Sequence, residues 1–441
     1  MRTPLRSRRT ALTGATALLL TLAVGPAAVA DTHQAQRQGG SLVLIGGGLK
    51  ENNTQVYGEI IERAGGARAR IGVITASSVP AAQDPYADDP DRCSNSECNG
   101  AYYSDLFKRH GAADAQWIPV DLDHIANADS AAVVRQVNSM SGFFFGGGDQ
   151  SRYLTTLLNG AAHTDSKVLA AIRAKLAKGA VVAGSSAGAQ IAAGADMVTG
   201  GESYEGLRDG SSPGYFEDAT RLGYEPDGGF GFLRSGLIDT HTGAYGREGR
   251  AMRLAADTGH DRVYALEENT ALVVEQPGGP RERLRILGPR GVAVLDLRRA
   301  RTTTTPPPRK VTGSGASGPG WSLSGVRYSY LTDGDQYDPR HWRALPAPGK
   351  RPLALRSATP VPANNDVFHS VASPVGVPYS FLTTARALAA TRAQHQAEAT
   401  TYEDGPRFTV TFRKAPGFTA WGTDGATPQT LTGLEIGITG R

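Results

Sequence analysis

Apolar positions along this chain follow two alternating patterns. Short unbroken runs at Ser41–Ile45, Ile71–Thr75, Gln116–Val120, Gly142–Phe145 and Ala180–Ala183 predict strands buried on both faces. Between them, apolar residues recur at helical spacing, as at Val56, Ile60 and Ile61 before the stop at Gly65-Gly66. Helices are likewise predicted over 103–109, 131–137, 153–158 and 165–178. Strands alternating with helices place the chain in the α/β class, with an open, mostly parallel sheet flanked by helices. Further strands follow at 236–240, 263–266 and 271–275.

After Arg301 the pattern changes. The tract from there to Gly320 is rich in Thr, Pro and Gly and is read as a low-complexity insertion that builds no core. Residues 343–441 alternate polar and β-branched positions around Phe408–Phe412, with a helical stretch over 385–397. The expected organisation is a leader over 1–30, an α/β domain over 31–342 and a small β-rich C-terminal extension over 343–441.

The stretch Ala180-Val181-Val182-Ala183-Gly184-Ser185-Ser186-Ala187-Gly188 ends a buried strand in a sharp turn, after which helix-forming residues resume. A serine at such a turn is pushed clear of the sheet edge, and flanking glycines let neighbouring backbone approach. Ser186 stands where a nucleophile would, although Gly-x-Ser-x-Gly also occurs as an ordinary turn in glycine-rich chains. The second landmark is Gly142-Phe143-Phe144-Phe145-Gly146-Gly147-Gly148-Asp149-Gln150. Open parallel sheets bind ligands beyond their strand C-termini, so this loop and the Ser186 turn are expected to share one crevice. The N–H of Ala187, with that of Gly147 or Gly148, is the expected oxyanion hole, and Gln150 is placed to offer its amide to substrate. Gly46-Gly47-Gly48 lacks the spacing of a dinucleotide cradle and is read as close backbone approach beside the site.

The strand at 236–240 delivers His241, and the strand at 263–266 delivers Glu267 and Glu268. Ser186 as nucleophile, His241 as base and then acid, and Glu268 as the group that orients the imidazole form a candidate triad, with Glu267 as rival orienter. Residues 200–235 show little periodicity and are read as a loop over the site, carrying Tyr204, Glu205, Tyr215 and Glu217 toward substrate. Arg247, Arg250 and Arg253 recur every three residues on a predicted helix, which by spacing alone suits a solvated face.

Basic residues up to Arg9, an apolar stretch over 15–24 and Ala28-Val29-Ala30 predict a secretory signal, and Ser7-Arg8-Arg9 gives it twin-arginine character. The remainder holds 42 basic and 42 acidic residues, which gives no basis for nucleic acid or, after signal removal, a membrane as partner. In an exported chain Cys93 and Cys98 are expected to pair as a local disulfide, since two thiols without neighbouring histidines do not make a metal site. No cofactor and no metal are called for.

Phe143–Gln150, Gly184–Ala189, Asp239-Thr240-His241 with the arginines after it, and Glu267-Glu268-Asn269-Thr270-Ala271 together resemble the cyanophycinases, in a serine peptidase family that includes the α-aspartyl dipeptidases. The likeness runs from residue 41 to about 335 and closes on Val326–Asp335. It implies an open sheet flanked by helices, with the nucleophile on Ser186, the histidine on His241 and the glutamate on Glu268. It also implies substrate contacts at Thr240, Arg247 and Arg250, where a guanidinium fork suits an aspartyl carboxylate. The implied reaction is hydrolysis of cyanophycin, multi-L-arginyl-poly-L-aspartate, to β-Asp-Arg dipeptides through an acyl-enzyme. Two positions depart from the family pattern: Thr240 stands where Gln is usual, and Tyr245 at an arginine position. Those departures suggest an alternative, a peptidase or esterase of the same fold on another substrate; the other alternative is an inactive exported binding protein, against which the retained Ser186, His241 and Glu268 argue. An oligomer is compatible with the sequence.

Overall fold

Five of the predicted strands run parallel at the centre of the molecule: β1 (Ser41–Ile45), β2 (Arg70–Ile74), β3 (Asp114–Trp117), β4 (Gly142–Phe145) and β5 (Val181–Ser185). The protein is described by a computed structural model over residues 39–305, 320–354 and 357–440, which belong to one compact unit. The expected leader, the first residues of the 31–342 segment and 306–319 of the insertion lie outside the described residues.

β1 is also the point where direction reverses. On its other side come β8 (Ala271–Glu275), β9 (Arg283–Leu287), β12 (Gln336–Asp338) and β13 (Arg343–Leu345), all antiparallel, so the nine-stranded sheet is mixed. Its order is β13-β12-β9-β8-β1-β5-β4-β2-β3. The three phenylalanines of β4 follow strand alternation. Phe143 and Phe145 face one side with Tyr153 and Ile172, Phe144 faces the other with Tyr57 and Phe107, and none is more than 1% exposed. At about 1.5–3 kcal/mol for each buried side chain, this strand anchors both faces of the sheet. Helices α1 (Thr54–Arg63) and α2 (Ser96–Arg109) cover one face, while α4 (Gln150–Leu157) and α5 (Lys167–Ala177) cover the other beside α3 (Ala131–Ser139). Asn53 and Asp149 cap α1 and α4 with their side-chain oxygens.

A second nine-stranded sheet begins with the parallel pair β6 (Leu237–Asp239) and β7 (Arg262–Leu266). It continues antiparallel through β10 (Gly291–Asp296), β11 (Gly320–Thr332), β15 (Thr430–Gly440) and β14 (Phe408–Gly422). The C-terminal region is β-rich, but its strands extend this sheet instead of forming one of their own, and the boundary expected after residue 342 falls in the turn between β12 and β13. The insertion also departs from expectation, because Arg301–Thr305 pairs with Gly320–Ser324 as a hairpin.

Residues 200–235 are not a loop laid over the site. They hold α7 (Ser203–Asp209) and short strands, and Tyr204 packs edge-on against Phe408 in the core of the second sheet beside α8 (Glu248–Thr258) and α9 (Ser380–Ala390). The Cys93–Cys98 disulfide is present, with Cys98 inside the first turn of α2.

Candidate active site

Because β1, β2, β4 and β5 run parallel, the loops after them gather at one edge of the first sheet. In the second sheet Asp239 registers beside Ala265, which brings the residues following β6 and β7 to that same edge. Backbone bonds join the two. The His241 N–H donates to the Gly46 carbonyl at 2.7 Å, the Asn269 N–H to Gly47 at 2.7 Å, and the Gly46 N–H to Thr270 at 3.1 Å. Gly47 has a φ of +97°, and a Cβ there would lie 2.1 Å from the imidazole ring. The ring occupies the space a side chain would need.

Ser186 follows β5 with φ 56° and ψ −119°, a conformation that costs a non-glycine residue roughly 1–3 kcal/mol. Its carbonyl accepts from the N–H groups of Ala189 and Gln190, and its own N–H donates to Ile45. The tight turn needs both flanking glycines, since a Cβ on Gly184 would lie 2.0 Å from the Gly188 carbonyl oxygen, and one on Gly188 equally close to that of Phe145. The helix that follows, α6 (Ala187–Gln190), is a single turn, shorter than the run to Ala193 suggested.

Ser186 Oγ lies 2.8 Å from His241 Nε2, and His241 Nδ1 lies 2.7 Å from Glu268 Oε1. A carboxylate only accepts, so Nδ1 carries the proton and Nε2 is free to accept from the hydroxyl. Burial pushes the imidazole below its ordinary value of 6.5; the bond to Glu268 opposes this and the nearby Arg247 cation reinforces it. The ring is therefore neutral at neutral pH. Glu267, the rival orienter, points away: it is buried, accepts from the Gly243 N–H, and burial pushes its carboxyl up to about 7.

The cavity at Ser186 has a volume of about 240 Å³. That is room for about eight waters, or for one residue of a peptide with its flanking amides. Gly148, Gln150, Ala187, Thr240, Arg247 and Arg250 all reach its wall. Gly147 sits under the nucleophile, where a Cβ would be 3.3 Å from that of Ser186. Ser77 Oγ donates to the Gly146 and Gly147 carbonyls, and among the described residues the N–H groups of Gly147, Gly148 and Ala187 donate to no protein acceptor.

Two expected substrate contacts are already engaged within the protein. The Gln150 amide donates to the Val198 and Thr199 carbonyls, which leaves only its oxygen for a ligand. Arg250 places Nε and one terminal nitrogen on Asp239, at 2.8 and 2.6 Å, and the other on the Gly201 carbonyl. Both partners are at most 5% exposed, so Arg250 neutralises a buried carboxylate and braces the site from behind. Arg247 differs. One terminal nitrogen donates to the Thr240 carbonyl, its Nε is shut from solvent with no partner, and among the described residues no carboxylate lies within 4.0 Å. Burial and the Arg250 charge push it down to about 10, still a full cation at neutral pH. Tyr204, Glu205, Tyr215 and Glu217 do not line this cavity.

Sequence reasoning named Tyr245 only as a departure from the family pattern and missed Gln190. Tyr245 stacks on the His241 ring, with centroids 5.0 Å apart and planes 13° from parallel, and the Arg247 guanidinium lies 4.8 Å from the same tyrosine ring. Gln190 holds its Nε2 on the Ile238 carbonyl and lines the cavity with a buried oxygen that has no partner. Spacing signals neither, because both contacts are made across elements distant in the chain or turned by a positive φ.

The sequence profile of peptidase family S51 matches residues 42–279. Cyanophycinases of Synechococcus elongatus and of Thermosynechococcus vestitus are each 28% identical over 271 residues, covering 60% of this chain and 71% of theirs. A solved peptidase from an acI-B1 Actinobacterium superposes with a TM-score of 0.41 at 17% identity, over 68% of this chain and 98% of that one.

Two expectations follow from these environments. Labelling of Ser186 by a serine-directed phosphonate, followed against pH, should show an acid limb below 6.5, set by His241. Tyr245→Ala opens the ring to water and Arg247→Gln removes a neighbouring cation, so each moves the limb upward, whereas Tyr245→Phe leaves it in place; an unmoved limb in both disrupting variants would contradict the stated causes. The second concerns stability. A carboxyl raised from 4.5 to about 7 in the fold is neutral in both states at low pH, and costs stability as pH climbs from 4.5 toward 7. Glu267→Gln should therefore melt with the parent near pH 4 and later than it at pH 8, by up to about 3 kcal/mol.

Proposed function

The chain belongs to peptidase family S51, whose members are serine-type hydrolases, and from that premise we propose that it hydrolyses cyanophycin or a related aspartyl peptide, with Ser186, His241 and Glu268 as its catalytic groups. The observation that carries the reading is the unbroken chain of hydrogen bonds Ser186–His241–Glu268, 2.8 and 2.7 Å long, on a nucleophile held at positive φ.

In this reading a substrate carboxylate is drawn to Arg247, the cation in the cavity that has no carboxylate within 4.0 Å among the described residues. Ser186 Oγ attacks the peptide carbonyl carbon as His241 Nε2 takes the hydroxyl proton, and Glu268 stabilises the imidazolium. The charge on the carbonyl oxygen meets the unengaged N–H groups of Gly147 or Gly148 and Ala187. Collapse breaks the C–N bond, and the imidazolium returns its proton to the leaving amine. Water then adds to the ester by the same route in reverse, with His241 as base, and frees Ser186. Cyanophycin as substrate is supported by the two cyanophycinases among the relatives. Export is part of the proposal: it rests on the leader over 1–30 and is compatible with the Cys93–Cys98 disulfide, a bond that persists in oxidising compartments.

A peptidase of the same fold acting on another substrate is the second reading, favoured by the buried Thr240 and the exposed Tyr245 at the cavity wall.

Ser186→Ala should lower turnover by about 10⁴-fold or more while leaving the melting profile unchanged. Undiminished release of dipeptide from purified cyanophycin would reject the nucleophile. A panel of α-aspartyl and β-aspartyl peptides, offered beside cyanophycin, separates the two readings, and a protein that cleaves none and takes up no phosphonate label at Ser186 is a binding protein instead.

A further inference from the structure

A second cavity, of about 700 Å³, lies on the other side of the loop that carries Glu268. Asn269, the next residue, forms part of its wall, with its side-chain oxygen held by the Lys50 N–H and the Asn53 amide. Arg290, Asp333, Lys350 and Arg386 supply the charge. All four stand beyond residue 279, outside the segment that matches the family profile.

Lys350 and Asp333 are engaged within the protein. The Lys350 ammonium sits 2.7 Å from buried Asp335 and also donates to the Thr332 hydroxyl, and Asp333 accepts from the Gln55 amide and the Gly288 N–H. The two arginines are not. Among the described residues neither Arg290 nor Arg386 has a carboxylate within 4.0 Å or a side-chain hydrogen bond. Each is held instead by an aromatic ring: Arg290 lies 3.9 Å from the centroid of Tyr379, and Arg386 lies 5.2 Å from that of buried Tyr330. A guanidinium seated on a ring face keeps its N–H edge for an acceptor in the ring's periphery. The charges of both reach the Tyr330 hydroxyl, so the two cations converge on one region. Both act on the buried carboxyl of Glu267, which burial pushes up to about 7 and so leaves only partly ionised at neutral pH. Two like charges fixed together on a cavity wall, with their donors unspent, form a receptor for anions, and the flat fork of each suits a carboxylate.

We propose that this cavity is a second binding site, in which Arg290 and Arg386 take carboxylates of an acidic peptide segment and hold a polymeric substrate while another part of it occupies the cavity at Ser186. The anion site stands on the arrangement of the arginines alone; its use by substrate rests on the reading given under Proposed function. The volume, nearly three times that at Ser186, accommodates several residues of such a segment.

The test uses the full chain carrying Ser186→Ala, which cannot turn over its ligand, titrated calorimetrically with a short oligo-aspartate peptide at low salt. Two sites are expected. Adding Arg290→Ala and Arg386→Ala should weaken one of them at least tenfold and leave the other, and adding Arg247→Ala should do the converse. Arg290→Lys with Arg386→Lys should retain part of the binding, which guards against a folding defect in the alanine variants. In the catalytically competent chain, the double alanine variant should raise KM for the polymer severalfold and leave kcat/KM for a short aspartyl peptide unchanged. A single site, lost only with Arg247, overturns this inference and leaves the proposed substrate standing. Two sites with no hydrolysis of any aspartyl polymer would sink the substrate and leave the anion site. No binding at either cavity removes both.

Discussion

The clasp between Gly46-Gly47 and the residues after β6 and β7 is the constraint on which the site depends. It ties the end of one sheet to the end of another through three backbone hydrogen bonds. Such bonds contribute about 1 kcal/mol each, so the clasp supplies about 3 kcal/mol. Ser186, His241 and Asn269 all stand at positive φ, at roughly 1–3 kcal/mol apiece. The bonds alone are therefore outweighed or at best matched, and the strained geometry persists because both sheets are packed rigidly behind it. On one side that packing is the phenylalanine strand β4; on the other it is the second sheet, whose cohesion comes in large part from the long C-terminal strands β14 and β15. The C-terminal region thus contributes to the catalytic geometry, and it also holds the loop after His241 directly: the Tyr379 N–H donates to the Gly243 carbonyl at 2.6 Å and the His369 ring bonds that of Ala244 at 3.1 Å.

This division explains what was legible in the sequence. Buried parallel strands announce themselves as apolar runs, and the loops after them must share an edge, so Ser186, the Gly146–Gly148 loop and their common crevice could be read directly. The choice between Glu267 and Glu268 could not. It depends on which side chain the turn after β7 directs outward, and that turn is set by a tertiary bond from Asn269 to Gly47. Arg247 and Arg250 were equally opaque: three residues apart, they read alike by spacing, yet Arg247 stands just before α8 while Arg250, within it, is paired with Asp239. The second sheet escaped notice because its strands come from both ends of the second half of the chain, with no local periodicity to join them. Tyr204 reads as a polar aromatic in a glycine-rich stretch, yet the late strand holding Phe408 turns its surroundings into core.

The two cavities repeat one electrostatic theme on either side of Glu268. In each, a guanidinium has no carboxylate within 4.0 Å among the described residues, and aromatic rings, Tyr245 in one and Tyr330 and Tyr379 in the other, seat such groups where acidic partners would ordinarily stand. A chain whose charge beyond residue 30 is balanced thereby concentrates positive charge without close carboxylates at two places on one loop. The polarity suits a ligand that presents carboxylates, whether an acidic peptide or a polymer such as cyanophycin whose arginines end in them.

At Ser186, in the reading proposed above, one cation takes part in both binding and chemistry. Burial lowers the basicity of His241, and Arg247 adds to that effect while the cavity holds no anion, which leaves the imidazole neutral and ready to accept. A carboxylate drawn to Arg247 cancels that influence. The imidazole then holds a proton more firmly at the moment Ser186 must give one up, and a ligand without a carboxylate produces no such change. In the proposed reading, discrimination between substrates enters through the strength of the base as well as through affinity, and it rests on one guanidinium seated on Tyr245, the ring that stacks on His241.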